Sequence, residues 1–247
     1  MAENLLNDTS PQILRFASGT QSYPFTYIED GEEQGIYKDL LELVATGSPY
    51  RVEVAAYPAG RVITALKNAE IDLFPHFEMG ENIKFKDIPN TVVCEEPLFS
   101  VKMSLFSLAP VKNSTTNAGT SNVGWMRYHY VDVERFSEYI PFEVNFLYAH
   151  SYPQLAKMLL ANRVDYVISS VPNFYASYKA LQGDAEVIEE NIFPSATVTL
   201  GFSMNALGDK TEVISQQFCR QVGRLQDSGS IDKIIAKYSK LKYFNKP

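Results

Sequence analysis

The sequence predicts an α/β fold of two lobes, each a mixed, mostly parallel sheet flanked by helices, joined through a two-strand hinge. Three observations predict it. Strand-like and helix-like patterns alternate along the chain. A strand–helix–strand unit running to residue 74 is echoed by one running to residue 169. Extended segments at 102–108 and 197–204 flank the second unit, as in a chain that leaves one lobe, builds another and returns. The expected lobes are residues 1–107 with 203–247, and residues 108–202, with 102–108 and 197–204 side by side as the hinge.

In order, Ile13 to Ala17 reads as a buried strand, Gly19 to Pro24 as a loop and Glu29-Asp30-Gly31 as a turn. Ile36, Leu40, Leu43 and Val44 recur at helical spacing, and Val52, Val54 and Ala56 alternate as a strand does. Pro58-Ala59-Gly60 opens a short helix carrying Val62, Ile63 and Leu66, and Ile71 to Phe74 is the next strand. Val92-Val93 and Lys102 to Leu108 are extended, and the polar stretch Asn113 to Asn122 is a loop. The second unit has a strand at Val123 to Met126 and a helix marked by Val133, Phe136 and Ile140. A strand follows with Val144, Phe146 and Tyr148. Ser151 with Gln154 forms a capping box ahead of a helix with Leu155, Met158 and Leu159 inward. Asp165 to Ser169 and Ala185 to Ile188 are strands, and Thr197 to Met204 is extended. Two amphipathic helices close the chain, one with Ile214, Phe218, Val222 and Leu225, the other with Ile231, Ile234, Ile235 and Tyr238.

The echo is the most informative of these features. Leu66-Lys67-Asn68-Ala69-Glu70 runs into Ile71-Asp72-Leu73-Phe74, and Leu159-Leu160-Ala161-Asn162-Arg163 runs into Val164-Asp165-Tyr166-Val167. In both, an alternating strand precedes the helix and an aspartate opens the next strand, which points to two related lobes. Asp72 and Asp165 sit at strand starts, away from the cleft end, and read as structural.

Of the 247 residues, 45% are hydrophobic, enough for one large core or two small ones. The net charge of -7 and the absence of a long basic run argue against nucleic-acid binding. No stretch approaches the ~20 apolar residues of a membrane helix. The start, Met1-Ala2-Glu3-Asn4, is polar, which suits either a cytosolic chain or a secreted one whose leader has been removed. Cys94 and Cys219 form no CxxC and no metal spacing, so they are either a disulfide or two buried thiols. The sequence has no Gly-rich phosphate loop, no HExxH and no GxSxG, and no cofactor is expected.

Several segments together resemble the extracellular solute-binding proteins of polar amino-acid uptake systems, the type II periplasmic binding proteins. They are Pro24-Phe25-Thr26-Tyr27, the turn at Gly31, Gly35-Ile36-Tyr37-Lys38-Asp39-Leu40, Pro58-Ala59-Gly60-Arg61, Ala65-Leu66-Lys67 to Asp72-Leu73, Glu96-Pro97-Leu98, Arg163-Val164-Asp165 and Gly229-Ser230-Ile231-Asp232-Lys233-Ile234. The resemblance spans residues 13 to about 240 and rests on the order of these pieces. It implies a clamshell that closes on a small polar or aromatic solute for ABC-type uptake. It further implies a monomer in the periplasm that works with a membrane permease complex and catalyses nothing. Two alternatives stand beside it: an enzyme of the same fold, dehydratase-like, and the sensor module of a signalling system. The family's carboxylate-clamping arginine, in a Thr-x-x-Arg segment, has no counterpart in Met79-Gly80-Glu81-Asn82-Ile83-Lys84. Ser169-Ser170-Val171-Pro172 stands where an ammonium-holding acid is usual. The ligand is therefore left open.

Ligands of open α/β sheets sit beyond the carboxyl ends of the strands. That rule and the resemblance nominate Tyr23, Phe25 and Tyr27 after the first strand, where the family places a stacking aromatic. Arg61 is nominated at a helix start, where the dipole disfavours a cation. His76, Phe77 and Glu78 follow the 71–75 strand, and Glu78 would be the carboxylate of an enzyme. Trp125, Arg127 and Tyr128 stand where the family places small and hydroxyl residues. Ser169, Ser170 and Asn173 follow the last strand of the echo.

Overall fold

In the computed structural model the described residues are 11–19, 22–58, 61–80, 83–84, 88–109, 119–127 and 133–239. In the first sheet, β1 (Gln12–Gly19) lies parallel between β4 (Tyr50–Tyr57) and β5 (Leu73–Met79). Next to β5 runs antiparallel β13 (Ala196–Ser203), and beyond it β7 (Thr91–Val101), giving the order β4-β1-β5-β13-β7. A short β6 (Ile83–Lys84) pairs with the end of β5. The hairpin of β2 (Tyr27–Glu29) and β3 (Glu32–Gln34) stands apart, closed by the turn at Asp30-Gly31.

The second sheet has the order β10-β9-β11-β8-β12, from β8 (Met103–Leu108), β9 (Ser121–Met126), β10 (Val144–Ala149), β11 (Tyr166–Ser170) and β12 (Val187–Glu190). β9 is parallel to β10 and β11, while β8 is antiparallel to β11 and β12. Position for position the two orders match. In each, the echoed unit supplies the parallel strands, and the fourth place goes to a strand adjacent to a crossing between sheets. The expected α/β architecture of two mixed sheets flanked by helices is the one observed, with the first three strands of each order parallel and the remaining pairings antiparallel.

Burial follows the alternation of the strands. Leu14 and Phe16 of β1 face the main core with Leu40, Leu41 and Val44 of α1 (Ile36–Ala45), while Ala17 faces Val62, Ala65 and Leu66 of α2 (Val62–Lys67). The last two long helices, α6 (Thr211–Asp227) and α7 (Ser230–Ser239), pack on this sheet through α6 on β7 and α7 on α1. A Cys94–Cys219 disulfide ties β7 to α6, and Asp39 of α1 accepts from both Lys237 Nζ (2.6 Å) and Tyr238 Oη (3.0 Å) of α7. In the second lobe the helices are α3 (Tyr152–Leu160) and α4 (Val171–Ala180), with a 3-10 helix at Val133–Tyr139. Ser151 Oγ accepts from Gln154 N at 3.2 Å, and Gln154 Oε1 accepts from His150 N at 2.9 Å. The capping box is thus present, shifted by one residue on its return arm.

Two expectations need correction. The segments 102–108 and 197–204 are not neighbours: β8 belongs to the second sheet and β13 to the first. The chain changes sheets at Lys102, and again between Glu190 and Ala196, so sheet membership does not follow divisions after 107 and 202. The physical reason is that β8 and β13 each complete a sheet next to its third parallel strand, which a side-by-side pairing would leave unbonded. The two crossings are nevertheless close. Lys102 Nζ lies 2.8 Å from Glu189 Oε1, Tyr175 Oη donates to Glu189 Oε2 at 3.0 Å, and Ser104 Oγ donates to Asn191 Oδ1 at 2.8 Å. Burial, and then the hydroxyl's donation to Glu189, push the Tyr175 phenol up. Second, β5 runs on to Met79 rather than ending at Phe74. The sequence pattern predicts no element over 171–180, where α4 follows β11 directly in a stretch of aromatics and Ser that is nearly all buried. The short helix α5 (Met204–Leu207) and a 3-10 turn at Gly208–Lys210 lead into α6.

Candidate functional site

The carboxyl ends of β1, β5, β9 and β11 converge on a cavity between the two sheets that opens to solvent. Both lobes line it. From the first come Ser18, Ser22, Phe25, Tyr37, Val62, Phe74 and the outer part of β5. From the second come Trp125, Phe136, Tyr152, Ser170 and Asn173.

The first wall is shaped by the loop after β1. Its Tyr23-Pro24 bond is cis, and Ser22 and Thr26 close it through a backbone bridge. The carbonyls of Pro24 and Phe25 accept from Ile36 N (3.0 Å) and Tyr37 N (3.2 Å), so the loop occupies the free amides at the start of α1. Gly35 permits this approach. It sits at φ 131, and a Cβ there would stand 2.4 Å from the Phe25 carbonyl oxygen. Phe25 is thereby held stacked on Phe99, centroids 5.4 Å apart, with Tyr37 tilted beside it at 6.0 Å. Inside the loop, Thr26 Oγ1 donates to Ser18 Oγ at 2.7 Å.

On the second wall Trp125 is 5% exposed, with its ring 4.6 Å from that of Phe136. Where β11 turns into α4, Ser170 Oγ donates to Asn173 Oδ1 at 2.5 Å. The other end of the same amide crosses the cleft: Asn173 Nδ2 donates to Tyr23 O at 2.8 Å and to Ser22 Oγ at 3.3 Å. Asn173 is 2% exposed and joins the two lobes directly.

Charge is scarce. Among the described residues lining the cavity, Glu78 carries the one carboxylic acid, and none is a lysine, arginine or histidine. The Glu78 side chain is 46% exposed, and its carboxylate lies 3.6 Å from His76 Nε2. Among the described residues, the one group close enough for a metal is Cys94, Glu96 and Cys219. Its sulfurs are bonded to each other, so the thiolates that zinc needs are lacking.

Of the nominated residues, Phe25, Phe77, Glu78, Trp125, Ser170 and Asn173 are brought together around the cavity. Tyr23 and Tyr27 are next to it, their rings 4.7 Å apart, and Tyr23 contributes its carbonyl. Burial raises the Tyr27 phenol, with Glu29 adding to the effect. His76 reaches the cavity only through Glu78. Ser169 is buried and donates to its neighbour's carbonyl. Two nominees turn away. Arg61 points to the surface, 3.8 Å from Glu70, and Arg127 is exposed and lies over the Tyr148 ring at 5.6 Å. A guanidinium keeps its hydration at either surface, whereas an apolar cavity would strip it. Tyr128 lies outside the described residues. Sequence reasoning missed Ser18, Ser22, Tyr37, Phe136 and Tyr152. Ser18 and Ser22 flank the nominated aromatics and the cleft rule covers them. Tyr37, Phe136 and Tyr152 read as helix positions, and nothing local shows which way they face.

Two sheets of matching order, linked by two crossings and facing each other across a cleft, form a two-lobed clamshell like that of the periplasmic binding proteins. No protein-family model and no curated protein sequence matches this chain. Solved structures do match in fold. A putative L-cystine ABC transporter from Listeria monocytogenes superimposes with TM-score 0.71 at 15% identity, over 94% of this chain and 98% of that one. A histidine kinase sensor domain with similarity to periplasmic binding proteins gives 0.70 at 15%, over 94% and 97%. An ancestral amino acid-binding protein described as a precursor of cyclohexadienyl dehydratase gives 0.66 at 15%, over 92% and 96%. At these identities the likeness defines the fold.

Proposed function

We propose that the protein is an extracytoplasmic solute-binding protein that holds a small solute between its lobes and presents it to a membrane permease of ABC type. The observation that carries this reading is the cavity walled by both lobes and bridged by Asn173. A solute touching both walls stabilises the form in which they meet. Phe25, Phe77, Glu78, Trp125, Ser170 and Asn173 are the proposed contacts. The Cys94–Cys219 disulfide supports an oxidising compartment.

The test is a thermal-shift screen spanning amines, carboxylates, amino acids and sugars. A ligand at 100 times its Kd adds about 2.7 kcal/mol, which for a chain of this size raises the Tm by roughly 5–10 °C. Silence from every class would overturn the reading. A second reading, catalysis in the same cleft, is favoured by the His76–Glu78 pair at 3.6 Å. It requires the stabilising compound to be converted on incubation, and recovery of that compound unchanged would exclude it.

A further inference from the structure

We propose that the cleft takes a monocationic, largely apolar or aromatic molecule, of the arylalkylamine class, and that Glu78 holds its ammonium group. This rests on the solute-binding reading and names the ligand class for that site.

Four polar side chains of the walls bond within the protein. Ser18 accepts from Thr26, and Ser22 accepts from Asn173. Asn173 uses one end of its amide on Ser170 and the other on the Tyr23 carbonyl. The Glu78 side chain is half exposed with His76 Nε2 3.6 Å from its carboxylate, and its neighbours along β5, Phe77 and Met79, also line the cavity. The rest of the lining is apolar or aromatic, with Trp125 and Phe136 on the facing wall.

Electrostatics decides between ligand classes. Enclosing a carboxylate here would strip its water, and no described lining residue supplies a cation to offset that cost. An ammonium pairs with Glu78, and aromatic faces add attraction for a desolvated cation. The chain's net charge of -7 works in the same direction at longer range. An apolar body then fills the remaining volume, where sugar hydroxyls would lose hydrogen bonds to water without replacement.

Calorimetric titration of the whole chain with 2-phenylethylamine, phenylacetate, L-phenylalanine and glucose tests this. The amine is expected to bind at least 10-fold more tightly than the others. Glu78→Gln is expected to weaken the amine at least 10-fold, while the melting temperature of the unliganded variant stays that of the parent, because the side chain is half exposed and the change isosteric. Equal or tighter binding of phenylacetate, L-phenylalanine or glucose overturns the ligand class and leaves solute binding standing. So does an amine affinity indifferent to Glu78→Gln. Failure of all four compounds to bind overturns the ligand class, and only silence across the broader screen removes the binding function as well.

Discussion

In the first lobe α2 turns into β5 through Ala69 at φ 56, and in the second α3 turns into β11 through Asn162 at φ 51. The backbone bonds of the two turns correspond one for one. Ala69 N donates to Leu66 O and Glu70 N to Ala65 O, as Asn162 N does to Leu159 O and Arg163 N to Met158 O. The aspartates that follow do the same job. Asp72 N donates to Arg15 O of β1 at 2.9 Å while its carboxylate accepts from Arg15 N at 2.7 Å. Asp165 does so with Asn122 of β9 at 2.8 Å. The units part company at their carboxyl ends: β5 continues to Glu78 and Met79, whereas β11 stops at Ser170 and becomes α4. Strand starts carry the shared architecture, and strand ends, free of that duty, carry what differs at the cleft.

Breaking the staple that only the first lobe has should give the largest effect. Cys94→Ser with Cys219→Ser removes a link across 125 residues, costing about 4–5 kcal/mol by loop entropy. Hydrogen exchange is expected to accelerate in β7 and α6 and to leave β9–β11 unchanged, and a uniform loss would mean the lobes unfold as one unit. The aspartates come next. Asp72 is 6% exposed and also accepts from Arg15 Nε, so Asp72→Ala should cost about 2–3 kcal/mol, against about 1 for the half-buried Asp165→Ala, read by urea titration. Equal costs would break the ranking by burial. Asn173→Ala removes the bond between lobes and should destabilise their contact by about 1–2 kcal/mol, seen as a larger radius of gyration in solution scattering. The smallest effect sharpens the turn comparison. Ala69→Gly should stabilise by about 1 kcal/mol, since alanine is strained at positive φ, while Asn162→Gly should change little because asparagine tolerates it.

Much of this was legible in advance. The Ser151–Gln154 cap, the turn at Asp30-Gly31, and the doubled Asp-led strand were all read from residues that bond within a few positions or to an adjacent strand. Phe25, Phe77, Glu78, Trp125, Ser170 and Asn173, nominated by the cleft rule and the resemblance, line the cavity, and their contact with a ligand is a proposal. Arg61 and Arg127 were misplaced because a guanidinium's direction depends on which surface is wet, and Glu70 and Tyr148 drew them outward.

By itself the sequence determined the alternation of elements, the repeat and the return of the closing helices, because periodicity and local hydrogen bonding are written within short windows. The partner of each crossing strand was left to the tertiary structure, as was the choice between a disulfide and two thiols. So was the reach of Asn173 across to Tyr23, over 150 positions. Those outcomes depend on which distant surfaces meet, and a chain's local pattern constrains its own elements but not the space between them.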